Sequence, residues 1–194
     1  MPVMQRIRYL GLKWAAMALL VFGRRQAAAG VFDQMLAEFP RDAYALASRA
    51  HLLVQAGERG QALQLFGTLV KDHPGEAAHW FNYGFMLDEA GDYAQAETAF
   101  RRATELSPQL DRAWYGLGLV LIRLERFDEA VTALKQNTKL QPMSPYGWYQ
   151  LARVHVDRHE PDEARKIIRH LKKFEPKVAA QLERETGIVV SSAS

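Results

Sequence analysis

Residues 80–108 read WFNYGFMLDEAGDYAQAETAFRRATELSP, and the spacing of their apolar side chains decides the fold. Trp80, Tyr83, Gly84 and Leu87 recur at three- and four-residue intervals, so an α-helix carries them on one stripe. Gly91-Asp92 interrupts that pattern. A second helical set follows, Ala96, Ala99, Phe100, Ala103 and Leu106, and Ser107-Pro108 ends it. The stretch predicts two amphipathic helices joined by a tight turn.

The same unit recurs along the chain. Pro40, Pro74, Pro108, Pro142 and Pro176 are each 34 residues apart. The step of 34 also links Ala28, Ala62, Ala96, Ala130 and Ala164, and it links Phe32, Phe66, Phe100, Leu134 and Ile168. Trp80, Trp114 and Trp148 keep it too, as do Gly23, Gly57 and Gly91, whose column continues with Glu125 and His159. One helix pair cannot bury both of its apolar stripes alone, so such units must stack on one another. Gly84, Gly118 and Ala152 are expected to face Ala96, Ala130 and Ala164 and let paired helices approach closely. No strand-like alternation interrupts the pattern, and the expected class is all-α.

Trp80, Tyr83, Gly84, Leu87, Gly91, Tyr93, Ala96, Phe100, Ala103 and Pro108 resemble the tetratricopeptide repeat signature position by position. The resemblance implies five repeats, 9–42, 43–76, 77–110, 111–144 and 145–178, arranged as a right-handed superhelical solenoid of antiparallel helix pairs. Residues 1–8 would form an N-terminal extension, and 179–194 a capping helix ending near Gly187 followed by a mobile Ser-rich tail. The chain departs from the signature at Leu12 and Leu46, where tryptophan is usual, and at Pro161, where an aromatic is usual. The function implied is that of a non-catalytic protein–protein interaction module: a scaffold, adaptor or assembly factor.

Composition narrows the alternatives. The 194 residues include no cysteine, which excludes disulfides, a thiol nucleophile and Cys-based zinc sites. A net charge of +3 is too mild to argue for nucleic acid. The basic run Arg165, Lys166, Arg169, Lys172 and Lys173 follows the acids Glu160, Asp162 and Glu163 and reads as a solvated face. Gly116-Leu117-Gly118 is a fragment of a dinucleotide motif that follows no strand. His155 and His159 have metal-ligand spacing but no third ligand. No enzyme, cofactor or metal is expected. Asn137 stands where other repeats carry Met35, Leu69, Ala103 and Leu171, and a buried amide there needs partners.

A helix turns about 100° per residue, so Phe81 and Phe85 lie roughly 100–140° away from Trp80, off the core stripe. In the resembled family that side of each first helix lines a concave groove. The corresponding positions are Lys13 and Met17; Tyr44 and His51; Phe81, Asn82, Phe85 and Asp88; Arg112, Tyr115 and Leu119; and Tyr146, Tyr149, Gln150 and Arg153. This set is rich in rings, which make good interface anchors, with amides able to bond a peptide backbone. Some family members clamp an acidic C-terminus with Lys, Asn and Arg. Here Met17, Ser48 and Ala78 break that clamp, so the expected partner segment is apolar or aromatic-bearing.

The first helix is apolar nearly all round. Leu10, Trp14, Met17, Leu20 and Val21 form its expected docking face, and residues 1–32 hold five basic residues and no acid. Its cover would be a second copy, another subunit, or a lipid interface helped by Arg6, Arg8, Arg24 and Arg25. The run Trp14–Phe22 is shorter than a membrane span and holds repeat register, which argues against a cleaved signal peptide. The expected compartment is the cytoplasm. The alternative is a membrane-apposed or periplasmic accessory subunit, docked to a larger complex through this helix.

Overall fold

The computed structural model describes residues 3–190, and among them eleven helices and no strand. The helices are α1 (Val3–Val21), α2 (Arg25–Glu38), α3 (Ala43–Gln55), α4 (Arg59–Asp72), α5 (Ala77–Glu89) and α6 (Tyr93–Leu106). They continue with α7 (Asp111–Arg123), α8 (Phe127–Leu140), α9 (Pro145–Asp157), α10 (Pro161–Leu171) and α11 (Pro176–Thr186). The chain is thus an all-α array of helix pairs in the tetratricopeptide manner. It divides into two compact units, one up to Met86 and one from Leu87. Met1 and Pro2 and the Ser-rich end, 191–194, lie outside the described residues.

The 34-residue period is written most plainly in the backbone of the turns within pairs. Gly23, Gly57, Gly91, Glu125 and His159 all have positive φ, between 58° and 82°. At each, the following N–H reaches back five residues to close the preceding helix: Arg24 to Leu19, Glu58 to Leu53, Asp92 to Leu87, Arg126 to Leu121 and Glu160 to His155, at 2.8–3.0 Å. This is the left-handed helix stop that glycine fills without steric cost. Glu125 and His159 adopt it against their Cβ. Glu125→Gly and His159→Gly are therefore each expected to stabilise the second unit by about 0.5–1 kcal/mol. Chemical denaturation would show it as a raised midpoint, and an unchanged or lowered midpoint would mean the turn tolerates these side chains freely.

Pro161 is the first residue of α10, where its missing N–H breaks no hydrogen bond. The departure from an aromatic at this position thus suits a helix start. At the far end Gly187 closes α11 with φ 71°. The chain beyond it folds back: Val190 is buried, its N–H donates to Glu183 Oε1 at 2.6 Å, and Lys172 donates to its carbonyl.

In the first unit two clusters form the core. One gathers Ala16, Ala28, Phe32 and Met35 with Ala45 and Leu52; the other gathers Leu46, Ala50, Leu53, Ala62, Phe66 and Leu69 with Met86. In the second unit Phe100, Leu121, Leu134, Ile168, Leu171 and Leu182 are the large, fully buried side chains. The 32/66/100/134/168 column is therefore core throughout.

The tryptophan column differs from that expectation. Trp80, Trp114 and Trp148 are half-buried, and each donates its indole N–H at 2.9 Å to a prolyl carbonyl six residues earlier, Pro74, Pro108 and Pro142. Proline cannot continue a helix, and its free carbonyl needs a donor. The two conserved-period columns are thus one device that staples each inter-pair turn to the helix after it.

Close helix approach is specific too. A Cβ on Gly118 would lie 2.7 Å from Leu134, and one on Gly116 would lie 2.6 Å from the Phe100 ring. A Cβ on Gly147 would fall 2.1 Å from Asn137 Oδ1. Asn137 is buried and donates from Nδ2 to the Asp111 carbonyl at 2.9 Å. Its amide therefore bridges α8 to the start of α7 while α9 presses against its oxygen through a glycine.

Candidate partner-binding surface on the first helices

Each first helix buries one stripe in the core and leaves its neighbouring face partly open, which is where the sequence places the candidate residues. In the first unit, Lys13 sits 4.6 Å from the centre of the Tyr44 ring, and Tyr44 in turn packs edge-on against Phe32 at 5.8 Å. Both are half-buried, while Met17 is exposed. His51 has an exposed edge, and its ring lies against Phe66 at 5.4 Å. That apolar contact lowers its pKa from the ordinary histidine value. On α5, Phe81 and Asn82 are half-buried and Phe85 is 46% exposed. Among the described residues the Asn82 amide has no hydrogen-bond partner.

In the second unit several candidates already hold one another. Asp88 accepts from Arg123 at 2.8 Å, and burial raises its pKa in spite of that partner. Tyr115 lies beside Gln150 in one hollow, and burial raises its pKa. Tyr149 donates to Glu185 of α11 at 2.5 Å and receives a long bond from Arg153 at 3.4 Å. The Tyr149 bond holds the Glu185 carboxyl below the usual carboxylate range. Leu119 is half-buried, Arg112 is exposed, and Tyr146 is 70% exposed. Tyr115, Tyr146, Tyr149 and Gln150 line one shallow hollow with Pro145, Glu175, Val178 and Gln181.

Arg123 and the α11 residues lie outside the positions expected from the repeat signature, yet a signal for them exists. The pairs 88/123, 115/150 and 149/185 are separated by one period plus one or two residues, the offset that joins successive first helices.

His155 is buried with Nδ1 2.7 Å from Glu160 Oε2, whereas His159 is exposed in the turn, so that pair is separated. Among the described residues no three His, Asp or Glu side chains gather as a metal site. In the basic run, Arg165 pairs with Asp162, Lys166 with Glu163 and Lys172 with Glu183. On α1, Leu10, Trp14, Met17, Leu20 and Val21 are all exposed. No described helix is long and apolar enough to cross a membrane.

The sequence profile of the Tetratricopeptide repeat family matches residues 47–111, 87–136 and 115–179, which together cover more than half of the chain. The chain belongs to the tetratricopeptide repeat family, whose fold serves protein–protein interaction. Its structure is similar to that of MamA, with 19% identity, 85% of this chain and 96% of that chain covered, and a TM-score of 0.79. MamA from Desulfovibrio magneticus RS-1, residues 41 to the end, aligns at 19% identity over 91% of this chain and 96% of that one, with a TM-score of 0.76. YrrB, described as a TPR protein with an unusual peptide-binding site, aligns at 17% identity over 87% of this chain and 88% of that one, with a TM-score of 0.78. At these identities the likeness is one of fold. No curated protein matches the sequence.

Proposed function

We propose that this chain is a non-catalytic scaffold or adaptor that holds an apolar or aromatic-bearing segment of a partner protein against its first helices. The observation that carries the reading is the patch on α5. Phe85 is 46% exposed, Phe81 lies one turn before it, and Asn82 presents an amide unused by the described residues. An exposed ring beside an unused amide is well suited to a peptide, whose backbone needs polar partners and whose side chains need apolar ones. YrrB supports the reading by analogy, since that protein has a peptide-binding site on the same fold.

The test is the Phe81→Ala/Phe85→Ala double variant. Its stability should fall by only about 1–2 kcal/mol, because neither ring is fully buried, against about 3–5 for a core aromatic. Co-purification from the native cell should lose a partner that wild type retains, and affinity for that partner, once purified, should fall at least about tenfold, as for interface anchors. An unchanged set of partners, or a melting temperature that collapses, would return both rings to packing between helices.

A further inference from the structure

Helix α1 has two apolar faces and only one of them is used. Tyr9, Leu12, Ala16 and Leu19 pack into the core cluster of the first unit. On the opposite side Val3, Ile7, Leu10, Trp14, Met17 and Val21 are exposed, Ile7 by 64%, Trp14 by 66% and Val21 by 82%. At about 100° per residue these six fall within an arc of roughly 80°, a straight stripe about 28 Å long.

The charge beside the stripe is of one sign. Residues 1–32 hold five bases and no acid. Arg8 is committed to Glu38, with paired bonds of 2.6 and 2.7 Å, and Lys13 to the Tyr44 ring. Arg6, Arg24 and Arg25 are exposed and have no ion-pair partner among the described residues. Arg6 flanks the stripe near its start, while Arg24 and Arg25 follow its end. A second copy is therefore a poor cover. Pairing two stripes in parallel sets each cationic end against its equal, and pairing them antiparallel sets Arg6 against Arg24 and Arg25. In neither orientation does α1 itself supply an acid, because residues 1–32 hold none.

We propose that α1 lies flat on an anionic lipid surface. The apolar stripe enters the boundary between headgroups and acyl chains, Trp14 sits near its middle where an indole suits that boundary, and the three free arginines meet lipid phosphates. The helix docks on the bilayer without crossing it, since no described helix is long and apolar enough to span. This surface is separate from the α5 patch.

The test is co-sedimentation of the full chain with vesicles of phosphatidylcholine alone and of phosphatidylcholine with phosphatidylglycerol. Wild type should sediment with the anionic vesicles and far less with the neutral ones, and less as salt rises and screens the surface. Ile7→Asp/Trp14→Asp should abolish binding, and Arg24→Gln/Arg25→Gln should weaken it about tenfold or more. Both variants should melt with wild type, because every altered side chain is exposed; Ile7→Ser/Trp14→Ser replaces the first if aspartate disturbs the helix. Absence of wild-type binding at low salt, equal binding to neutral vesicles, or full binding by the stripe variant would each overturn the proposal. So would a wild-type dimer in light scattering that the stripe variant dissolves while the vesicles stay bare.

Discussion

Gly147→Ala is expected to destabilise the second unit by about 2–3 kcal/mol, although alanine is intrinsically the better helix former by up to about 1 kcal/mol. The new methyl would lie 2.1 Å from Asn137 Oδ1, far inside contact distance. Asn137 cannot easily turn away, because its Nδ2 is bonded to the Asp111 carbonyl and the side chain is 5% exposed. One period earlier the equivalent positions are Ala103 and Ala113, both buried, so the same helix geometry accepts two methyl groups there. Asn137→Ala/Gly147→Ala should therefore recover most of the loss. Asn137→Ala alone should cost about 1–2 kcal/mol through a lost bond and a small void. Urea denaturation of the four proteins gives the coupling energy directly. Additive losses would mean that the two side chains do not meet.

Phe100→Ala should cost more, about 3–5 kcal/mol. The ring is 1% exposed and reaches from α6 into the hollow left by Gly116 on α7. Part of that hollow is glycine backbone, which has no side chain to swing in and fill a void, so relaxation requires moving one helix against the next. Phe100→Leu, which copies Leu134 one period later, should lose about half as much. In a repeat array stability is a sum of unit and interface contributions, so a weakened α6–α7 contact should also broaden the unfolding transition. A loss under about 1 kcal/mol for Phe100→Ala would mean that the neighbouring helices collapse around the site without strain.

Where the sequence was legible, it was because one period repeats one physical task. Ala28 and its column, and Phe32 and its column, are buried in every repeat, and Gly23, Gly57 and Gly91 announce turns that Glu125 and His159 then keep. The tryptophans were harder to read, since a large ring at helical spacing suits either a core or a half-open staple. Only the turn geometry brings the prolyl carbonyl within 2.9 Å of each indole. Asn137 stood out as a polar residue in an apolar column, yet its partners lie on α7 and α9, and no spacing rule within a single repeat points to both. In the candidate surface, position on the first helices was legible. The partners that hold Asp88 and Tyr149 come from the following helix pair and α11, so they emerge only when successive repeats are compared at an offset.

The indole staples have one more consequence. Indole emission reports the polarity around the ring, and this chain places Trp80, Trp114 and Trp148 at three successive turns, with Trp14 on the open face of α1. Proteins that retain one tryptophan at a time would thus carry built-in optical reporters. Three would register the fraying of individual turns along the array, and the fourth the moment when the first helix leaves water.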